Sequence, residues 1–197
     1  MTGEHDDDLH LWELARRDQA DAYGKLFDRH VTAVYNYCAH RVGSYNAAQD
    51  LTSTVFLEAW RCRARLPLTT VSLLPLLYGI AARVCARHHR STRRFLTAVR
   101  RLPVDVEGGV DHAEAVADRV DAQQALLAVT SALRQLSTER REVAELCLIG
   151  GLDTRAAALY LKVPEGTVKS RLSRARAQLQ HTLAGQRDIN PKGVTRA

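Results

Sequence analysis

The 197-residue sequence lacks the features of a membrane-bound or exported protein. It contains no apolar run close to the ~20 residues that a membrane span requires. Its acidic start, MTGEHDDDLH, is unlike the basic and then apolar signal peptide of a secreted protein. We therefore expect a cytoplasmic protein with no membrane partner.

Cysteine is also scarce, and the cysteines have neither the paired spacing of a zinc site nor the density of a disulfide scaffold. The four residues are scattered: Cys38, Cys62, Cys85 and Cys147. The segment CARHH does place Cys85, His88 and His89 within about one helical turn. Adjacent histidines on a helix point about 100° apart, however, and arginines surround them. We expect reduced thiols and no metal site.

The motifs of common enzyme classes are missing as well. The sequence has no glycine-rich phosphate loop, no H-E-x-x-H zinc motif and no nucleophile elbow around a serine. We therefore expect a protein that is not an enzyme and that needs no cofactor.

Glycine and proline are sparse in most of the chain, and no alternating strand pattern persists. Alanine, leucine and arginine dominate, which favours helices. The sequence predicts an all-α protein of two small helical domains, the second a four-helix unit containing a helix-turn-helix. The predicted helices are 9–17, 20–42, 46–63, 71–91, 113–136, 138–149, 153–161 and 164–184.

The net charge of +6 is concentrated in two places. Residues 83–101 contain seven arginines and no acid, and a second basic segment lies near the carboxyl end. Between them, residues 102–121 are acidic and contain a glycine pair, which is typical of a flexible linker. We predict a first domain over 1–101, an acidic linker over 102–121, a second domain over 122–184 and a mobile tail over 185–197. Two basic regions favour contact with a long polyanion.

The second basic segment, VPEGTVKSRLSRARAQL, has two different faces when it is placed on a helix. Val168, Leu172, Ala175 and Leu179 share one narrow face, which can pack against the domain. Small residues and cations occupy the opposite face, so the backbone can approach a DNA groove closely. The preceding segment predicts a shorter helix with Asp153 as its N-cap, and together the two have helix-turn-helix spacing.

These motifs resemble those of the extracytoplasmic-function (ECF) group of bacterial sigma factors, the promoter-recognition subunits of RNA polymerase. VPEGTVKSRLSRAR is similar to the recognition helix of the fourth conserved region of the family. AAQDLTSTVFLEAW resembles its polymerase-binding helix, and LLYGIAARVCARHHR resembles the helix that reads the melted promoter. The motifs occur in the order that the family has, with a linker between them.

The resemblance implies that the recognition helix enters the major groove of the minus-thirty-five element. Thr167, Ser170 and Arg174 would then meet base edges, and Lys169, Arg171 and Arg176 would lie near phosphates. Two residues at the start of the preceding helix are further phosphate candidates: Thr154 and Arg155.

The resemblance also implies two surfaces in the first domain. One helix, with the loop at about 61–71 before it, would receive the melted non-template strand of the minus-ten element. The candidate contacts there are Arg83, Arg87, His88 and Arg90. The surface that would bind the clamp helices of the largest core polymerase subunit consists of Asp50, Ser53, Thr54 and Leu57. The family usually has glutamine and glutamate where this chain has Ser53 and Thr54.

The implied partners are core RNA polymerase, through those clamp helices and the flap of the second-largest subunit, and promoter DNA. Family members are often restrained by an anti-sigma protein. A rival interpretation is a transcription factor of the response-regulator type, which also ends in a helix-turn-helix but binds duplex DNA without joining polymerase. Such a protein needs an upstream receiver or ligand domain, and residues 1–100 show no strand pattern.

Overall fold

In a computed structural model, residues 7–66, 68, 71–99 and 117–189 are described. All their regular elements are helical, which confirms the predicted all-α class. The helices, in chain order, are α1 (Asp8–Arg16), α2 (Ala20–Val42), α3 (Tyr45–Cys62), α4 (Leu74–Val99), α5 (Ala117–Arg134), α6 (Thr138–Ala144), α7 (Thr154–Leu161) and α8 (Glu165–Ile189). A 3-10 turn (Arg63–Arg65) follows α3, and a π-helical turn (Glu145–Ile149) continues α6.

Several predicted boundaries differ from the structure. α4 begins at Leu74 rather than 71 and continues to Val99 rather than ending at 91, because no glycine or proline interrupts residues 92–99. α5 begins at Ala117, so the last five residues of the predicted linker are helical, and 102–116 lie outside the described residues. α8 continues to Ile189, so the predicted tail is helical over 185–189, and 190–197 lie outside the described residues.

The first four helices are held together by apolar side chains at helical spacing. Leu26, Val34 and Cys38 of α2 are completely buried, as are Val55 of α3 and Leu77 of α4. Fully burying a side chain of this size contributes about 1.5–3 kcal/mol. This packing leaves the polar faces of α3 and α4 free for contacts outside the chain.

The two predicted domains share one continuous core. Leu126 of α5, Val143 of α6 and Ala157 of α7 belong to the same buried cluster as the side chains of α2 and α4. A smaller cluster joins α5, α6 and α8 through Leu133, Leu136, Ala144 and Ala175. The carboxyl-terminal helices are therefore docked against the amino-terminal ones.

Candidate nucleic-acid and polymerase interface

The helix-turn-helix is built by local signals that the sequence contains. Asp153 caps α7, because its side chain accepts a hydrogen bond of 2.6 Å from the Ala156 N–H. α7 ends at Lys162, which has a left-handed backbone with φ of 55°. A non-glycine residue adopts that conformation at some cost in free energy, so the turn is strained at Lys162, whereas glycine at the same position would not be strained. After this turn α8 begins at Glu165.

The inner face of α8 anchors the helix as predicted. Val168 and Ala175 have no exposed surface, Leu172 is buried, and Leu179 packs against the smaller cluster. On α7, Ala157 and Ala158 are buried, and their small side chains allow α8 to cross closely. The orientation of the outer face of α8 is therefore fixed by packing.

The outer face of α8 carries the predicted minus-thirty-five contacts. Lys169, Ser170, Arg174 and Arg176 are exposed, as is Arg155 at the start of α7. Three other predicted contacts are half-buried: Thr154, Thr167 and Arg171. Within the described residues no carboxylate pairs with Arg155, Arg174 or Arg176, so their charges are available to an anion.

Glu165 connects the first turns of α7 and α8, which the sequence analysis missed. Its carboxylate accepts a hydrogen bond of 2.8 Å from the Thr154 hydroxyl and lies 2.8 Å from Lys169 Nζ. The bonds from Lys169 and Thr154 hold the pKa of Glu165 below its usual value. The Thr154 hydroxyl is thus occupied within the chain, whereas Lys169, in an exposed pair, can turn away at little cost. The spacing of Glu165 and Lys169, four residues apart, could have indicated the pair.

The predicted minus-ten contacts lie on α4, beyond its buried stretch. Arg83, Arg87 and Arg90 are exposed and are three to four residues apart, so they form one row along the helix. Arg87 pairs with Glu58 of α3, whereas His88 is half-buried. Because α4 is longer than predicted, the row continues at Arg94, which is also exposed.

The predicted polymerase-binding strip lies on the outer side of α3. Asp50, Ser53 and Leu57 are exposed, Leu57 to 46%, and Thr54 is half-buried. The hydroxyl groups of Ser53 and Thr54 donate to backbone carbonyls one turn earlier. They are therefore already bonded within α3, and the side chains that extend from this strip are Asp50 and Leu57.

The docking of the two halves uses polar contacts that the sequence analysis did not find. The Tyr78 hydroxyl of α4 donates to the Gly150 carbonyl, and Arg41 of α2 pairs with Glu145. Burial raises the pKa of Glu145, although the charge of Arg41 opposes that shift. A side chain at Gly150 would meet Tyr78, since a Cβ built there lies 2.7 Å from the hydroxyl oxygen. Pairs so distant in sequence leave no local pattern.

The described part of the chain contains neither a group of metal ligands nor a membrane-spanning helix. No group of three or more histidine, cysteine or acidic side chains there could hold a metal ion. His89, from the CARHH segment, instead hydrogen-bonds through Nε2 to the Arg41 carbonyl at 3.0 Å. Over the same residues, no helix has the length and apolar content needed to cross a membrane.

Two family models match the chain, one in each half. The model of sigma-70 region 2 matches residues 26–95, which cover α3 and most of α4. The model of sigma-70 region 4 matches residues 126–179, which include the helix-turn-helix. The rival interpretation required a receiver or ligand domain upstream of the helix-turn-helix. Residues 26–95 match sigma-70 region 2 instead, and residues 7–66, 68 and 71–99 contain helices and short connections only.

Curated relatives are similar over most of the chain. The ECF RNA polymerase sigma factor SigC of Mycobacterium tuberculosis is 30% identical over 184 residues, which are 91% of this chain and 94% of that protein. The ECF sigma factor BldN of Streptomyces coelicolor is 30% identical over 167 residues, or 85% of this chain. This chain spans 62% of the length of BldN.

Solved structures share the fold. The structure of CnrH in complex with the cytosolic domain of CnrY matches with a TM-score of 0.67 at 23% identity, covering 91% of this chain and 99% of CnrH. The sigma factor RpoE of Bartonella quintana, in complex with the anti-sigma factor NepR, matches with a TM-score of 0.56 at 23% identity. That match covers 82% of this chain and 96% of RpoE.

Proposed function

Because the chain belongs to the extracytoplasmic-function sigma factors of the sigma-70 family, we propose that it binds core RNA polymerase and directs initiation at specific promoters. In this proposal the outer face of α8 contacts the minus-thirty-five element as duplex DNA. The arginine row of α4 and the segment before it receive the melted minus-ten element, and the α3 strip binds polymerase. An anti-sigma protein is a further candidate partner, since RpoE, which shares the fold, was solved in complex with the anti-sigma factor NepR.

The observation that carries the proposal is the division of α8 into two faces. Val168 and Ala175 are completely buried while Arg174, next to Ala175 in sequence, is exposed and unpaired among the described residues. A helix that is packed on one side and carries small or cationic side chains on the other suits insertion into a major groove. In the groove, Arg174 would be close to base edges and Lys169 close to the backbone.

Reconstitution with purified core polymerase tests the proposal directly. Core polymerase and this protein are incubated with genomic DNA, and the transcripts are sequenced. We expect starts at a defined set of positions preceded by two shared motifs. Binding to duplex DNA without binding to core polymerase would contradict the proposal and favour the response-regulator interpretation.

Two α8 variants separate base contacts from phosphate contacts. Arg174→Ala should weaken promoter binding by about 1–3 kcal/mol and relax sequence preference at one position. Lys169→Ala should weaken binding to all sequences equally and reduce the slope of log affinity against log salt by about one. Both side chains are exposed, so neither change should alter folding. The assignment fails if the two variants have the same effect on selectivity and on the salt slope.

The α3 strip can be tested with a matched pair of leucine variants. Leu57→Asp places a charge in the proposed polymerase contact, so core binding should fall at least tenfold, as expected for a contact buried at an interface. Leu159→Asp is the control, because Leu159 on α7 is also exposed but lies outside the strip. Equal loss of core binding in both variants would argue against the strip.

A further inference from the structure

A cavity of about 240 Å³ lies where helices α1–α4 meet helices α5–α8. The amino-terminal half contributes His40 and Arg41 from α2 and His89 from α4. The carboxyl-terminal half contributes Arg134 from the end of α5 and Arg141 from α6. None of these five side chains belongs to the candidate DNA contacts or to the α3 strip. The cavity is therefore separate from the interface described above.

The charges that line the cavity do not cancel. Arg41 pairs with Glu145, and Arg141 acts on Glu145 only at longer range. Neither Arg134 nor Arg141 has a carboxylate oxygen within 4.0 Å among the described residues. The remaining acid of the cavity is Glu142, which has no ion-pair partner in the same part of the chain. Two unpaired arginines against one unpaired carboxylate leave a net positive charge, which favours an anion.

His40 adds a polar atom that lacks a partner. Its Nδ1 is buried and has no hydrogen-bond partner among the described residues. The His40 carbonyl, by contrast, accepts a hydrogen bond of 3.2 Å from the Thr130 hydroxyl, which holds α2 against α5. Buried polar atoms are normally hydrogen-bonded, so each exception calls for an explanation. Because His40 lines the cavity, an oxygen of a bound ligand can supply the missing acceptor.

The size of the cavity and the kind of donors that line it limit the ligand. A volume of about 240 Å³ is below the ~300–1,000 Å³ of usual small-molecule sites, so only a small ligand or one end of a larger molecule fits. Guanidinium groups bind the oxygens of phosphate in a bidentate manner. A phosphoryl group has enough oxygens to bond to two arginines and to a histidine N–H at once.

We propose that this cavity binds a small phosphate-bearing ligand through Arg134 and Arg141 of the carboxyl-terminal half and His40 of the amino-terminal half. Since both halves contribute donors, such a ligand binds fully only while the halves are docked. By linkage, it stabilises the docked arrangement over any state in which the halves are apart. The site adds a small-molecule ligand to a protein whose proposed function involves only polymerase and DNA.

Calorimetric titration of the purified full chain tests the proposal. The probes are inorganic phosphate and adenosine monophosphate, which distinguish a free phosphate from a phosphoryl group on a larger molecule. Chloride at equal ionic strength is the reference salt. Arg134→Gln removes one guanidinium at an exposed position, and His40→Phe keeps a ring while removing both nitrogens. The matched control is Arg17→Gln, because Arg17 is also exposed and lies outside the cavity.

We expect wild type and Arg17→Gln to bind one molecule of at least one probe per chain, with saturation. Arg134→Gln should bind it at least tenfold more weakly, as expected for the loss of a hydrogen bond from a charged group. His40→Phe should bind it about fivefold more weakly, through the loss of one neutral hydrogen bond. In urea unfolding, a probe at ten times its dissociation constant should raise the folding equilibrium constant of wild type about elevenfold.

Three results would overturn the proposal. The first is a wild-type protein that binds neither probe with saturation. The second is an equal loss of binding in Arg17→Gln and Arg134→Gln, which indicates general charge attraction rather than a site. The third is unchanged binding in both Arg134→Gln and His40→Phe. These measurements need neither polymerase nor DNA, so a failure of the proposed function in the transcription assay is distinguishable from a failure here.

Discussion

Replacing Gly150 by alanine should destabilise the docking of the two halves of the protein. The backbone at Gly150 has φ of −83° and ψ of −10°, which alanine adopts without strain. The effect of Gly150→Ala is therefore steric. The new Cβ would lie 2.7 Å from the Tyr78 hydroxyl oxygen and 2.8 Å from the Leu146 carbonyl oxygen. The tyrosine tip can move, whereas the Leu146 carbonyl belongs to the backbone of the π-helical turn.

Three contributions set the loss in free energy of unfolding that Gly150→Ala should cause. Overpacking a closely packed site costs about 1–3 kcal/mol. Displacing Tyr78 breaks its hydrogen bond to the Gly150 carbonyl, which costs about 1 kcal/mol. Alanine allows the unfolded chain fewer conformations than glycine does, and this offsets the loss of stability by about 0.4–1 kcal/mol. The net loss in the free energy of unfolding is about 1–4 kcal/mol, and a loss of about 2 kcal/mol shifts the midpoint of urea unfolding by about 1 M.

Equilibrium urea unfolding of a double-mutant cycle with Tyr78→Phe tests this explanation. Both single changes remove the same hydrogen bond, and the second also removes the atom closest to the new Cβ. The double mutant should therefore be about 1 kcal/mol more stable than additivity predicts. Gly151→Ala is the control: Gly151 has φ of 71° and no neighbour within 4 Å of a built Cβ, so its cost should be additive with Tyr78→Phe. Additivity in the Gly150 cycle, or a Gly150→Ala variant as stable as wild type, would refute the reasoning.

Three further predictions concern single sites. Lys162→Gly should raise the free energy of unfolding by about 1 kcal/mol, because glycine has no penalty at a φ of 55°; an unchanged melting temperature would remove the strain argument. Burial alone would raise the pKa of Asp8, but hydrogen bonds from His30, the Leu73 N–H and Arg29 outweigh it and hold that pKa well below its usual range. The stabilisation from Asp8 should therefore be complete above about pH 4 and be lost as the pH falls further. In urea unfolding, the free energy of unfolding of Asp8→Asn should depend less on pH between about 2 and 4 than that of wild type. Equal pH dependence in the two proteins would contradict this. Burial raises the pKa of Glu145, so Glu145→Gln should change the free energy of unfolding at pH 7 very little. Arg41→Ala leaves the buried Glu145 carboxylate without its partner and should lower that free energy by about 2–3 kcal/mol. Equal losses of stability in the two variants would exclude this account.

The helix-turn-helix could be predicted from the sequence because its determinants are local. The N-cap at Asp153 and the buried face through Val168 and Leu172 each depend on residues within a few positions. The exposed row of α4 was predictable for the same reason, since arginines three and four apart on a helix must share a face. Helix lengths were harder to predict. α4 has no glycine or proline at its predicted end, and α8 continues through Gly185, which directly follows its predicted end.

The docking and the burial of Asp8 in α1 could not be predicted, because their contacts join distant residues. Tyr78 and Gly150 are 72 positions apart, and Arg41 and Glu145 are 104 apart. Nor does composition separate Asp8 from the acidic residues beside it, although Asp8 is buried and Asp7 is exposed. Such a carboxylate can be recognised only when the structure places His30 and the Leu73 N–H around it.

Helix α4 combines two tasks, and its sequence shows how they are kept apart. Docking occupies its first half, where the Tyr78 hydroxyl binds Gly150 and a Cβ at Gly79 would lie 4.0 Å from the ring of Tyr160 on α7. The arginine row starts one turn after Gly79, at Arg83, and remains exposed through Arg90 while the halves are docked. Docking therefore leaves this row accessible and leaves Arg174 of α8 exposed as well. Docking does fix the distance between the arginine row of α4 and the outer face of α8. The close-packed core that the two halves share allows only one relative placement of these two helices.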